Sequence, residues 1–364
     1  MNELKLAPDI AARLSKFIRS DQFSIKNSSS KSEYWKYHAD QLSIDLDEGS
    51  ASVTGAAGFY VPPPSSFLRR IAGKVLLALK NPSRATNWFR RLVSRYFSCM
   101  PRLMTYKKAF DAVMSHAEIS DPDRSRFRIN HLDLVKLNGV LPTSKMIQQY
   151  YSSWSGYAAN DSVINHYYHQ NILRKYVGDK KINTIMEIGA GNGNFPALFF
   201  HDWAPVRVIL VDLPETLAIA IPYLSNLFPD ARLIMPHEVQ VGALADDFDF
   251  AFLTVDQLDY IDDDSVDLSI NCDSFQEMTH DQIKTYFHLV QRVTREAGLF
   301  FTANRVEKIP GGPDSFMVDQ VDPPNRFADY PWNDGNEILA FEISRLIRLV
   351  QLDDMYLRIE RIHK

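Results

Sequence analysis

Along residues 146–364 the apolar positions alternate between two periods. Short apolar runs at 185–188, 206–211, 252–255, 266–271 and 299–304 have the length of strands. Between them, 162–176, a segment from Phe195 into the 200s, 216–228 and 281–296 have helical spacing. In the last of these, Ile283, Tyr286, Phe287, Val290 and Val293 share one face, and Gly298 ends it. Two further apolar segments follow at 338–349 and 355–362, separated by Asp353-Asp354. Strands alternating with helices predict an α/β unit: a mostly parallel sheet with helices on both faces. Ligands of such sheets bind outside the carboxyl ends of the strands. Residues 1–145 read differently, as a mainly helical region with long loops. Basic amphipathic helices are expected over 67–80, stopped by Asn81-Pro82, and over 85–97. The Ser-rich 27–31 and the Gly, Ala, Ser and Pro-rich 48–66 read as connections. The expected division is therefore 1–145 and 146–364, with no internal repeat.

Composition supports two units. The 364 residues exceed a typical single domain, and a 45% hydrophobic content allows a large core. The net charge of −5 matters less than its distribution. From Phe67 to Phe110 there are eleven Lys and Arg and no acid; from Leu233 to Ile283 there are thirteen Asp and Glu and neither Lys nor Arg. Two cysteines, Cys99 and Cys272, make no disulfide framework and fit a reducing cytoplasm. Met1 to Phe17 alternates charges without an apolar centre, unlike a secretory signal, and no run has the length and apolarity of a membrane span.

The candidate chemistry begins at the first strand of the α/β unit. Ile185-Met186-Glu187-Ile188 runs into Gly189-Ala190-Gly191-Asn192-Gly193. Glycines at alternate positions let the backbone turn tightly and leave room for a nucleotide-sized ligand. The second strand ends at Asp212, roughly 20 residues past the last glycine, where a carboxylate meets ribose hydroxyls. The dinucleotide pattern Gly-x-Gly-x-x-Gly is not met, because position 194 is Asn. The form E-x-G-x-G-x-G followed by an acid resembles the class I S-adenosylmethionine (SAM) methyltransferases. That resemblance, over about 160–364, implies a Rossmann-like seven-stranded sheet closed by an antiparallel C-terminal strand pair, here 338–349 with 355–362. It implies SAM as cofactor. Glu187, Gly189, Ala190, Gly191 and Gly193 would then form the cofactor turn. Asp212 and Leu213 would lie at the ribose, Asp256 and Gln257 near the adenine, and Asp273 and Ser274 on the loop after the fourth strand.

In such a sheet that loop faces the reactive end of the cofactor. It reads Asn271-Cys272-Asp273-Ser274-Phe275-Gln276-Glu277-Met278-Thr279-His280-Asp281. Thr279 with Gln282 three residues on fits a capping box, placing His280 in the first turn of the following helix. A hydroxyl acceptor must lose a proton, and a positioned base contributes about 10²–10⁴-fold; His280 and Glu277 are the candidates. The alternative roles are a surface histidine for His280 and a cap or salt-bridge residue for Glu277. The run Ser274 to Met278, with Tyr286-Phe287 and Asn304-Arg305, resembles the sugar O-methyltransferases of bacterial surface-polysaccharide and glycoconjugate clusters. It implies a sugar or glycan acceptor held by Asn304 and Arg305, with Tyr151 and Tyr157 as aromatic contacts. Loop structure and packing are the alternatives for these four.

Other readings stay open at this point. The enzyme could methylate another small molecule, and the fold could serve as a non-catalytic SAM-binding scaffold. The basic helices of 67–108 could lie on the anionic inner face of a membrane, bind nucleic acid, or simply pack with a solvated basic face. Nucleic acid is disfavoured: Asp322-Pro323-Pro324-Asn325 follows the fifth strand and ends in Asn, so it reads as a loop. No residue cluster has metal-ligand spacing, so no metal is expected, and the oligomeric state is undetermined.

Overall fold

The computed structural model describes residues 2–23, 43–47, 50–54, 144–157, 159, 161–239, 244, 247–307, 325–344 and 355–364. The basic segment 67–108, Cys99 and residues 345–354 lie outside them. The chain divides into two compact units, one of residues 1–60, 169–345 and 353–364, the other of 61–168 and 346–352.

The second unit contains α2 (Ser144–Ser155) and the first half of α3 (Asp161–Val177). Ile147 and Ile164 form its buried contact, and the Tyr150 and Tyr167 rings meet at 5.3 Å.

In the first unit, runs of β-branched and aromatic residues form the strands of one eight-stranded sheet. They are β4 (Thr184–Ile188), β5 (Arg207–Asp212), β6 (Leu233–Ile234), β7 (Phe250–Thr254), β8 (Val266–Cys272), β9 (Thr294–Arg305), β10 (Glu337–Ser344) and β11 (Met355–Arg361). Their order is β10-β11-β9-β8-β4-β5-β7-β6. All pairs from β9 to β6 are parallel, and β11 runs antiparallel to both neighbours. This is the Rossmann-like sheet with its antiparallel C-terminal pair, extended by one strand at the β6 edge. Two residues are too few to carry a periodicity, so β6 leaves no mark in the hydrophobic pattern.

Strand alternation sends neighbouring residues to opposite faces. Met186, Ile188, Ile209, Val211, Ala251 and Leu253 meet the apolar side of α6 (His280–Val293) through Ile283, Tyr286, Phe287 and Val290. The other face takes α4 (Asn194–Trp203), whose Phe200 ring lies 4.5 Å from that of Phe250. The second half of α3 covers it too, His169 lying 5.3 Å from Phe301. Each fully buried Leu or Phe here contributes about 1.5–3 kcal/mol. The α5 helix (Pro214–Leu227) starts on Pro214, whose fixed φ suits a first helical position.

Two local expectations change. The helix expected to reach 296 ends at Val293, because Thr294 turns extended, pairs with Val266 and bonds Ser269 (Oγ to Oγ1, 2.7 Å). β9 therefore starts five residues before Leu299, with a register shift opposite Val266/Leu268 and Ala297 at φ 58°. The N-terminal region is not only helical among its described residues. Beside α1 (Pro8–Ile18) it has an antiparallel three-stranded sheet of β1 (Asn2–Lys5), β3 (Ser50–Thr54) and β2 (Ser43–Asp47). Part of 48–66, read as a connection, is thus a strand. α1 is tied to the turn after β6: Arg13 Nε donates to Glu238 Oε1 at 2.7 Å, and Nη2 donates to the Leu233 carbonyl at 2.6 Å. No helix among the described residues is long and apolar enough to cross a membrane.

Candidate functional site

β4, β5, β7, β8 and β9 end side by side at their carboxyl edge, and the site grows from those ends. The chain leaves β4 through Gly189 at φ 74°, a conformation that L side chains resist. Space excludes a side chain as well: a Cβ on Gly189 would lie 2.1 Å from Ser274 Oγ. The glycine turn and the loop after β8 are therefore in direct contact. Gly193, at φ 86°, caps α4.

Asp212 closes this turn from β5. Its Oδ2 accepts the Gly191 N–H at 2.8 Å, its Oδ1 accepts the Leu213 N–H at 2.7 Å, and the Thr216 hydroxyl also donates to it. Burial outweighs these donors and raises its pKa to about 7. Glu187, the fourth residue of β4, is 3% exposed. Burial first, then the charge of Asp212, push its carboxyl well above the ordinary range. Ala190, in the glycine turn, and Leu213, which follows Asp212, are both buried.

At the end of β7, Thr254 pairs with Asp212 in register. Its hydroxyl donates to the exposed Asp256 (Oδ1, 2.5 Å). Gln257 is committed to the protein: its Oε1 accepts the Thr254 N–H at 3.0 Å and its Nε2 donates to the Pro236 carbonyl at 2.8 Å. It shapes this edge from below, while Asp256 remains at the surface.

The loop after β8 is braced by side-chain amides. Asn271 Nδ2 donates to the Ile188 carbonyl (2.9 Å) and to Ser274 Oγ (2.5 Å). Asn304 Nδ2 donates to Asn271 Oδ1 and Thr302 Oγ1, both at 2.8 Å, and Gln276 Oε1 accepts the Arg305 N–H at 2.8 Å. Asn304 is fully buried, so on this geometry it braces the loop instead of presenting itself to an acceptor. Arg305 is also buried, at 5%. Asp273 sits at φ 61° and donates its N–H to the Ala303 carbonyl (2.9 Å), the kind of backbone strain that persists where its surroundings over-determine it.

The tight turn Phe275–Glu277 follows, with Glu277 half-buried. Thr279 caps α6 in the expected box with Gln282, leaving His280 exposed as its first residue. Asn325 spans this turn from outside: its Nδ2 donates to the Met278 carbonyl at 2.6 Å and to those of Phe275 and Gln276 at 3.4 Å. Sequence patterns gave Asn271, Thr216, Thr254, Gln276 and Asn325 no role. A polar residue next to the end of its strand was the available signal for Asn271; Asn325 had none, since its partners are about 50 residues away. Tyr151 and Tyr157 lie in the second unit, Tyr151 buried and Tyr157 half-buried.

These ends can hold an adenosyl group. The glycine turn is free of side chains at Gly189, Gly191 and Gly193, and an acceptor carboxylate stands beside it. A second acid, Asp256, marks the neighbouring strand end.

No family model and no curated protein matches this chain. Solved structures do. The chain is similar to the N-methyltransferase NodS from Bradyrhizobium japonicum WM9, in complex with S-adenosyl-L-homocysteine, at 12% identity and TM-score 0.38 over 60% of this chain and 99% of that one. It is similar to a putative sarcosine dimethylglycine methyltransferase from Galdieria sulphuraria at 13% identity and TM-score 0.39, over 60% and 98%. It is similar to the PH0226 protein from Pyrococcus horikoshii OT3 at 17% identity and TM-score 0.37, over 59% and 99%. At these values the likenesses assign no chemistry to this chain.

Proposed function

We propose that this protein is a SAM-dependent O-methyltransferase whose acceptor is a hydroxyl of a sugar or glycoconjugate. The observation that carries the reading is the pairing of Asp212 with the glycine turn. Its carboxylate receives the Gly191 and Leu213 N–H groups, while Gly189 admits no side chain against Ser274. Glu187, Gly189, Ala190, Gly191 and Gly193 would line the cofactor, Asp212 and Leu213 would hold its ribose, and Asp256 would take the adenine edge. Asp273 and Ser274 would close over it.

When bound, SAM supplies a methyl group already activated on a sulfonium. The protein's share is then alignment, which alone can account for several kcal/mol of barrier, and removal of the acceptor proton. Glu277 is the favoured base: it sits in the turn that Asn325 and Gln276 hold rigid, whereas His280 is exposed at the helix start. Arg305, buried beside that turn, would meet oxygen atoms of the acceptor. The reading of the acceptor as a sugar is supported by the resemblance carried by Ser274–Met278 with Tyr286-Phe287 and Asn304-Arg305.

Transfer of radiolabelled methyl from SAM tests this, with a panel of free, nucleotide-linked and lipid-linked sugars as acceptors. Label on a sugar hydroxyl, reduced at least 100-fold in Glu277→Gln with SAM affinity kept, is expected. Label appearing only on amines or on RNA would contradict O-methylation of sugars.

A further inference from the structure

The eight-stranded sheet ends in two unequal edges. One is β6, whose two residues offer almost nothing to a further strand. The other is β10, eight residues long and paired, among the described residues, only with β11. Its sequence, Glu337-Ile338-Leu339-Ala340-Phe341-Glu342-Ile343-Ser344, has neither the lysine nor the proline that commonly guards an edge. Glu337 is held by Arg361 of β11, which leaves Glu342 as the one further charge. Ile338 and Phe341 are each 52% exposed and Ile343 is 37% exposed. Among the described residues of the first unit, no other large apolar side chain is exposed to this degree.

All three stand on one face. Ile338, Phe341 and Ile343 lie opposite Glu360, Arg358 and Tyr356, which alternate along β11 and so point the same way. A spacing of three between Ile338 and Phe341 would send them to opposite faces, but the register shift between Ile338 and Ala340 takes up the odd residue. The face is backed by aromatic rings: that of Phe341 stacks on Phe327 at 6.0 Å and meets Tyr356 at 5.0 Å. An apolar row on an unpaired strand is the condition in which another strand adds to a sheet.

We propose that β10 is an interface with a second copy of this chain, the two β10 strands pairing antiparallel about a two-fold axis at Phe341 and joining the sheets edge to edge. The charges select this occupant and this register. With the axis at Phe341, the two Phe341 residues stand opposite each other and each Glu342 meets the partner's Ala340, so every carboxylate faces a neutral side chain. With the axis at Glu342, two carboxylates would oppose each other. β10 thus complements itself, and because each copy uses its one long edge, the pairing closes at two.

Sedimentation velocity of the full chain over about 1–100 μM tests this, for wild type, Phe341→Lys and Ile343→Lys. Wild type should sediment as a dimer. Each lysine variant should weaken the dimer at least about 100-fold, with an unchanged circular dichroism spectrum, since both positions are exposed. Copper–phenanthroline oxidation of Phe341→Cys and Glu337→Cys reads the register without a lysine. Phe341→Cys should cross-link across the axis well above the wild-type background. Glu337→Cys should not, because the two copies of that residue would lie about 26 Å apart. Wild type that stays monomeric throughout would overturn the proposal and leave β10 to a strand of a different protein. A dimer that persists in both lysine variants, or equal cross-linking of the two cysteine variants, would overturn it by placing the interface elsewhere.

Discussion

Gly189 and Asp212 make opposite demands on their surroundings, and each can be tested by one substitution. Gly189→Ala places a methyl 2.1 Å from Ser274 Oγ on a backbone at φ 74°. Ser274 is held by Asn271, so it cannot step aside cheaply. The variant should lose about 1–3 kcal/mol of stability, read by chemical denaturation, and at least tenfold in S-adenosylhomocysteine affinity. Asp212 is unfavourable for folding, not favourable. Its folded pKa of about 7 stands above the ordinary 3.8. The folded chain therefore keeps a proton that the unfolded chain releases. That stabilisation is complete below about pH 4 and is lost as pH rises through 7, a change on the order of 4 kcal/mol. Ligand-free wild type should consequently lose more melting temperature between about pH 4 and pH 8 than Asp212→Asn does, because Asn cannot ionise, while the variant's nucleoside binding is lost. An equal change with pH in both proteins would contradict this account of the acid. These residues were legible in the sequence because their signals are local: a glycine spacing, and an acid ending an apolar run. Asn325 was not, because its meaning depends on what the fold brings against it.

Among elements, the turn from β8 into α6 carries the most specific arrangement. Its cap was readable, since a capping box is four residues of sequence, and Thr279 with Gln282 forms it as expected. Thr279→Ala should cost about 1 kcal/mol by urea denaturation. The brace from Asn325 was not readable. Asn325→Asp would turn an oxygen toward three backbone carbonyls that now receive an N–H donor. Hydrogen exchange over 275–279 should then rise at least tenfold while exchange in β4 and β5 stays slow. Unaltered exchange in the turn would show that Asn325 does not hold it. The end of α6 departs from expectation for a related reason. Gly298 is the nearest helix stop in the sequence, but pairing with Val266 and the bond to Ser269 draw Thr294 into a strand.

For the whole molecule, period and alternation were enough to give the sheet, and the five central strands and their helices fall close to where the pattern put them, except that α6 ends and β9 begins earlier. The short β6 strand and the N-terminal sheet escaped, being either too short or too polar to stand out. The last strand is interior to the sheet although it comes last in sequence. β11 lies between β9 and β10, and Leu357, Ile359 and Ile362 are fully buried. Their burial alone is worth about 5–9 kcal/mol, comparable with the whole stability of a typical domain. Deleting 355–364 should therefore leave no cooperative thermal transition, measured by calorimetry; a truncated chain that still melts sharply would show that the sheet closes without β11.

The central claim is that the carboxyl edge of β4 and β5 is an adenosyl site. The most direct test is calorimetric titration of the purified full-length chain with S-adenosylhomocysteine, alongside NAD, in wild type and Asp212→Ala. Micromolar or tighter binding of S-adenosylhomocysteine by wild type, with neither NAD binding nor binding by the variant, is the predicted result. Binding of NAD instead, or S-adenosylhomocysteine binding that is indifferent to Asp212, would contradict it.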